Sequence, residues 1–164
     1  MCKVPDSPFI LPDGKFAGLA LESLIFTNPA GVVLLSKKNL ALNQHLNFLF
    51  KAGENLPTIP YCSCGKNKVK HFIMDSGKPR YDLICCDDNE CINNLIMHKV
   101  NFTDSDKILW PIRLSTLLSL KDQEEQKAAA RFMKNVLGLS RRATSEDILE
   151  LLSGHYKQAI ALAA

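Results

Sequence analysis

The chain has 164 residues, 46% of them apolar and 23% charged, and 20 basic against 17 acidic side chains leave a formal net charge of +3. That is the composition of a globular protein with apolar mass for one core, and it excludes disorder as the dominant state. No glycine period, sustained heptad or long repeat is present, which excludes collagen, coiled-coil and solenoid architectures.

In chain order, Met1-Cys2-Lys3-Val4-Pro5 lacks the apolar core of a signal peptide, and no apolar run approaches the roughly 20 residues that cross a bilayer. The expected setting is therefore cytoplasmic, without a membrane, where thiols stay reduced. Asp13-Gly14 reads as a turn, and Leu19, Leu21, Leu24 and Ile25 as a buried stretch behind it. Asn28-Pro29 pairs a capping residue with a first-turn proline, which predicts a helix over 30–36. Asn39 can cap a second helix, with Leu40, Leu42, Leu46, Leu49 and Phe50 as its apolar face and Gly53 closing it.

Pro57 and Pro60 make 56–60 a linker, since neither fits a helix interior. Residues 69–74 and 81–85 are strand-like runs joined by Asp75-Ser76-Gly77-Lys78-Pro79, which is hairpin chemistry. Beyond Thr103-Asp104-Ser105-Asp106 the chain is expected to turn helical again, starting with the apolar stretch 108–120 around Trp110. Residues 122–137 form an amphipathic helix with Ala128, Ala129, Phe132, Met133, Val136 and Leu137 on one side, ended by Gly138. Thr144 or Ser145 caps a short helix to Leu152, and Gly154 is expected to break it before a last piece reaching Ala164.

Five of the six cysteines, Cys62, Cys64, Cys85, Cys86 and Cys91, fall within thirty residues. In a reducing setting such a cluster points to metal before disulfide. Cys62-x-Cys64 and Cys86-x4-Cys91 flank the hairpin, so four thiolates from its two ends can close a tetrahedron around Zn2+, the ion that soft sulfur ligands select. Gly65 gives the backbone room to turn beneath it. Cys85 and Cys86 compete for the third position. Strand alternation groups Cys85 with Tyr81 and Leu83 on the packed face, which favours Cys86 for the metal; Cys85, or His71 in place of a thiolate, stays open.

The segment Cys62-Ser63-Cys64-Gly65, the basic strand, Gly77, Arg80-Tyr81 and Cys86-x4-Cys91 resembles the GRF-type zinc finger over about thirty residues. The resemblance implies Cys62, Cys64, Cys86 and Cys91 as zinc ligands, and Lys66, Lys68, Lys70 and Arg80 as contacts to a nucleic-acid backbone. Two stretches differ from that pattern: Gly77-Lys78-Pro79-Arg80 replaces Gly-Arg, and Ile92-Asn93-Asn94-Leu95 stands where an aromatic cluster follows the last cysteine. A shorter motif, Gly14-Lys15-Phe16-Ala17-Gly18 with Leu21, Leu24 and Pro29, is similar to the opening of the small module at the C-terminus of exonuclease-X-like proteins, over residues 14–35. That module accompanies nucleic-acid enzymes.

Charge is unevenly placed. Residues 61–80 carry five basic groups and one acidic, and 81–106 one basic and six acidic. Alternate lysines at 66, 68 and 70 on a strand would present one face to phosphates, and Arg141-Arg142 could add a contact or simply follow a helix end. No phosphate loop, nucleophile elbow or zinc-protease motif is present.

The expected architecture is α+β, mainly helical with a small zinc-stapled, zinc-ribbon-like β-hairpin. Its regions are 1–56 (N-terminal, helical), 57–103 (zinc-binding hairpin) and 104–164 (C-terminal, helical). The expected function is non-catalytic: an accessory protein binding nucleic acid, single-stranded DNA included, or a nucleic-acid-processing protein. The alternative is a protein–protein adaptor or inhibitor with a purely structural zinc and an apolar face around Trp110, Phe132 and Met133. A thiol redox enzyme is a third class. The end, Ile160-Ala161-Leu162-Ala163-Ala164, resembles the alanine-ended tails that bacterial energy-dependent proteases read.

Overall fold

In a computed structural model, which describes residues 4–75, 78–99 and 107–163, asparagines set the first helices. Asn28 closes α1 (Leu21–Thr27) by donating its N–H to Leu24, and its side chain caps α2 (Pro29–Ser36) by accepting from Gly31 N at 3.0 Å. Asn39 does the same for α3 (Leu40–Gly53), accepting from Leu42 N at 3.0 Å. The buried face of α3 is Leu42, Leu46, Phe48, Leu49 and Ala52, whereas Leu40, at the exposed first position, is 74% accessible. Leu19 is likewise exposed, while Leu21, Leu24 and Ile25 are buried as expected. Gly53 does not take the left-handed cap conformation. Its use is close approach: a Cβ there would stand 3.0 Å from the Leu114 side chain.

The proline-rich stretch 56–60 is non-helical but packed, with Leu56 and Ile59 buried. The sheet has three strands in the order β2-β1-β3, all neighbours antiparallel: β1 (His71–Asp75), β2 (Lys78–Cys85) and β3 (Lys107–Pro111). β1 and β2 form the expected hairpin, with a register slip between Phe72, opposite Ile84, and Ile73, opposite Arg80. β3 corrects the sequence reading, which ran residues 108–120 as helical. Ile108, Leu109 and Trp110 pair with Met74, Ile73 and Phe72, and Pro111 sits at the end of an edge strand, where its missing donor costs least. Only Leu114–Ser119 is helical there (α5).

The region 57–103, expected as a hairpin module, also contains a helix that the sequence analysis does not place, α4 (Asn89–Lys99). Asp88 starts it by accepting from Glu90 N at 2.9 Å and Cys91 N at 3.2 Å. α6 (Gln123–Val136) is capped by Asp122, which accepts from Glu124 N and Glu125 N. α7 (Ser145–Ala163) opens on a reciprocal cap: Thr144 N donates to Asp147 at 2.8 Å and Asp147 N to Thr144 at 3.2 Å. It runs straight through Gly154, whose expected break is absent. A glycine inside a helix costs only about 1 kcal/mol, which the caps and the buried Ile148, Leu149 and Leu152 offset.

The fold is α+β, and its buried apolar side chains form one cluster. That cluster draws on Leu11 near the start, Phe72, Ile73 and Met74 of β1, Cys85 at the end of β2 and Cys86 just after it, and Leu152 of α7. Phe132 of α6 lies against Phe72 with ring centroids 4.7 Å apart, so α6 seals one face of the sheet. Phe132 and Met133 are therefore buried and Trp110 half-buried; the apolar face expected around them for an adaptor is absent. The fully buried Glu22 is satisfied by the Phe9 N–H at 3.2 Å and by the His45 ring. No helix among the described residues is long and apolar enough to cross a membrane. Cys2, the turn residues Ser76 and Gly77, the loop 103–106 and the shared face assigned to Tyr81 and Leu83 lie outside the described residues.

Candidate metal centre

The residues from Pro60 to Val69 fold back on themselves before β1 begins. Val69 N donates to Pro60 O (2.9 Å), Cys62 N to Asn67 O (2.8 Å) and Gly65 N to Cys62 O (2.9 Å). The tip of this turn needs Gly65, whose φ is 74°. Cys62 and Cys64 thus project from one tight loop. Cys86 follows the last residue of β2, where Lys70 N donates to Cys85 O at 2.8 Å and fixes the strand end. Cys91 is in the first turn of α4, held by the Asp88 cap.

These pieces bring four thiols together. The Sγ atoms of Cys62, Cys64, Cys86 and Cys91 all lie within 4.8 Å of one another, and those of Cys64 and Cys86 are 3.9 Å apart. A tetrahedron of sulfurs around a metal with bonds of about 2.3 Å has edges of about 3.8 Å. The cluster therefore needs only small shifts to close on an ion. Cys62 and Cys86 are buried, Cys64 and Cys91 half-buried.

Charge in the cluster is arranged for a cation. The N–H groups of Asn67 and Lys66 point at the Cys64 sulfur and bring its thiol down to about 6. Burial opposes ionisation of Cys62, but the N–H groups of Cys64 and Cys86 outweigh it and lower that thiol too. Burial raises Cys86 despite the Asp88 N–H, and burial with the neighbouring thiols raises Cys91 further. Four thiolates this close repel one another, so full ionisation of the set requires a bound positive charge.

Cys85, one residue from Cys86, is outside the group. It is buried in the core, opposite His71 in the sheet, and burial pushes its thiol up to about 11. His71 is also outside; its Nδ1 stands 3.4 Å from Asp87.

The residues expected to contact nucleic acid are placed less uniformly. β1 starts at His71, so Lys66, Lys68 and Lys70 precede the strand and do not form an alternating row on it. Lys66 is exposed on the cysteine turn. Lys68 donates to the carbonyls of Leu56 (3.0 Å) and Pro57 (2.9 Å) and lies over the Tyr61 ring. Lys70 pairs with Asp87 at 2.7 Å, and Arg80 with Asp75 at 3.1 Å.

The acidic residues after Cys86 have structural employment. The hydrogen bond from Lys70 holds the Asp87 carboxyl below its ordinary range, Asp88 caps α4, and Glu90 sits in its first turn, where a carboxylate favours the helix dipole. The sequence reading missed this role. The signal was Asp88-Asn89-Glu90 immediately before Cys91, a cap with first-turn acids. Comparison with family models, with curated proteins and with solved structures gives no match.

Proposed function

We propose that Cys62, Cys64, Cys86 and Cys91 bind one Zn2+ as a structural site, and that the chain is a non-catalytic accessory protein that binds nucleic acid. The observation that carries the metal reading is the convergence of four sulfurs within 4.8 Å. An all-sulfur set suits a soft ion, and four protein ligands complete a tetrahedron with no position left for a reacting water. Zinc, when bound, would supply positive charge and a fixed tetrahedral anchor.

The chain's own groups do the rest. Backbone N–H groups of residues 64, 66, 67, 86 and 88 face the sulfurs and spread their charge. The ligands tie together the turn before β1, the end of β2 and the start of α4. The nucleic-acid reading is supported by the resemblance of residues 62–91 to the GRF-type finger and of 14–35 to the exonuclease-X-like module.

The test is metal analysis of the purified chain with a shift assay on single-stranded DNA. One zinc per chain, released only when thiol reagent has modified the cluster, together with a shift that weakens as salt rises, is the expected result. Absence of stoichiometric metal overturns the first half, and absence of any shift at low salt the second.

A further inference from the structure

A concave surface that the cysteine cluster does not explain lies away from it. A cleft of about 520 Å³ runs between the C-terminal end of α1 and the outer face of α6. Lys127, Arg131 and Lys134 of α6, with Arg141 beyond it, supply its charge, and no carboxylate lines it. Positions 127, 131 and 134 are spaced at four and three residues, so they form one stripe about 10 Å long.

The stripe is available. Among the described residues, Arg131, Lys134 and Arg141 have no carboxylate partner, and Lys127 has only an exposed pairing with Glu124, a contact of little strength. The Lys134 ammonium rests 5.3 Å from the centre of the Phe26 ring, which holds it at the cleft edge. Phe26, Ala130 and Leu139 give the cleft an apolar floor, and Thr27 and Asn135 add neutral hydrogen-bonding groups. Lys127 also borders two smaller clefts that bring in Lys78 on one side and Lys121 on the other. The cleft on the Lys78 side is also lined by Asp122, Glu124 and Glu125, so the surface free of carboxylates is confined to the stretch from Arg131 to Arg141.

We infer that this cleft binds the phosphodiester backbone of single-stranded nucleic acid. Four cations in a cleft that no carboxylate lines match a polymer of regularly repeated anions, and each neutralised phosphate releases counterions. The apolar floor between the cations accepts a base face, which a single strand exposes and a duplex keeps stacked inside. The inference rests on the nucleic-acid reading above and moves the main contact from the cysteine hairpin to α6.

The experiment measures fluorescence anisotropy of a labelled mixed-sequence single-stranded oligonucleotide with the full chain across a salt series. The variants are R131A/K134A/R141A, the single R131Q and, on the hairpin, K66A/K70A, each checked for zinc content and helical circular dichroism. The triple variant is expected to bind at least about 10-fold more weakly and to lose about two units of salt slope, near 0.7 per phosphate for single strands. R131Q is expected to show part of that loss, and K66A/K70A less than about 3-fold.

If the folded triple variant binds like the parent, or only the hairpin variant weakens, the inference falls and the nucleic-acid reading stands. If the parent chain binds no oligonucleotide at low salt, that reading falls with it. Equal affinity for poly-glutamate assigns the cleft to acidic peptides and overturns the inference as well.

Discussion

The cysteine-bearing end of the sheet and the helical body are held together by different physics. In the body, α1, α3, α6 and α7 bury Leu21, Ile25, Leu42, Leu49, Phe132 and Ile148, and stability comes from apolar area removed from water. At the cysteine end, among the residues whose side chains are described, the turn 60–69 and α4 bury only Cys62, Val69 and Leu95 as apolar groups. Their order comes from four sulfurs, a glycine turn and the Asp88 cap. The two regions meet through β1, whose Phe72 touches Phe132 while its first residue pairs with Cys85. One region rests on what the chain carries; the other, on the zinc reading proposed above, rests also on what the chain binds.

The sharpest test of the body is Phe132→Ala. Losing that ring against Phe72 should cost about 3–5 kcal/mol in urea unfolding, while the metal content of the folded fraction stays at the parent level. Equal loss of metal would show the two regions to be energetically one. Cys86→Ser works from the other side. It should weaken zinc retention against a chromophoric chelator by about 100-fold or more, and speed amide exchange in 60–70 and 86–95 while α3 and α6 keep their protection.

A smaller effect is expected from Asp88→Ala, about 1 kcal/mol by loss of a helix cap, with faster metal release because Cys91 sits in the turn that the cap orders. The smallest is a pH effect in the body. The Thr144 N–H holds the Asp147 carboxyl below its ordinary value of 3.8. A depressed carboxyl contributes stability that is complete above its unfolded value and is lost as pH falls through the folded one. Thermal melts should therefore show an acid-side loss below about pH 4 that is shallower in Asp147→Asn, with the cysteine end unaffected.

Local signals were legible and distant ones were not. Asn28-Pro29 and Asn39 act within four residues of themselves and the apolar face of 122–137 repeats at the helical period, so sequence alone placed α2, α3 and α6, while the capping role of Asp122 emerges from the structure. The cysteine spacing likewise predicted which thiols could meet. β3 was not legible: a five-residue apolar run suits a strand or a buried helix equally, and only pairing with β1 decides. The lysine row failed for a related reason, since alternation is meaningful only inside a strand and β1 begins at His71, after all three lysines. Gly154 shows the converse, a local preference overridden by the helix on either side. The α6 cleft joins Phe26 to residues a hundred positions away, a distance at which no periodicity speaks.

The adjacent Cys85 and Cys86 carry one more consequence. Both are buried, yet one sulfur belongs to the oily interior and the other to the group of four converging sulfurs. A slip of β2 by one residue would exchange them, sending the wrong thiol to the cluster and leaving its neighbour among leucines. On the zinc reading proposed above, coordination would act as a proofreading step for hairpin alignment: a tightly loaded chain would be one whose strands have already paired in the right frame.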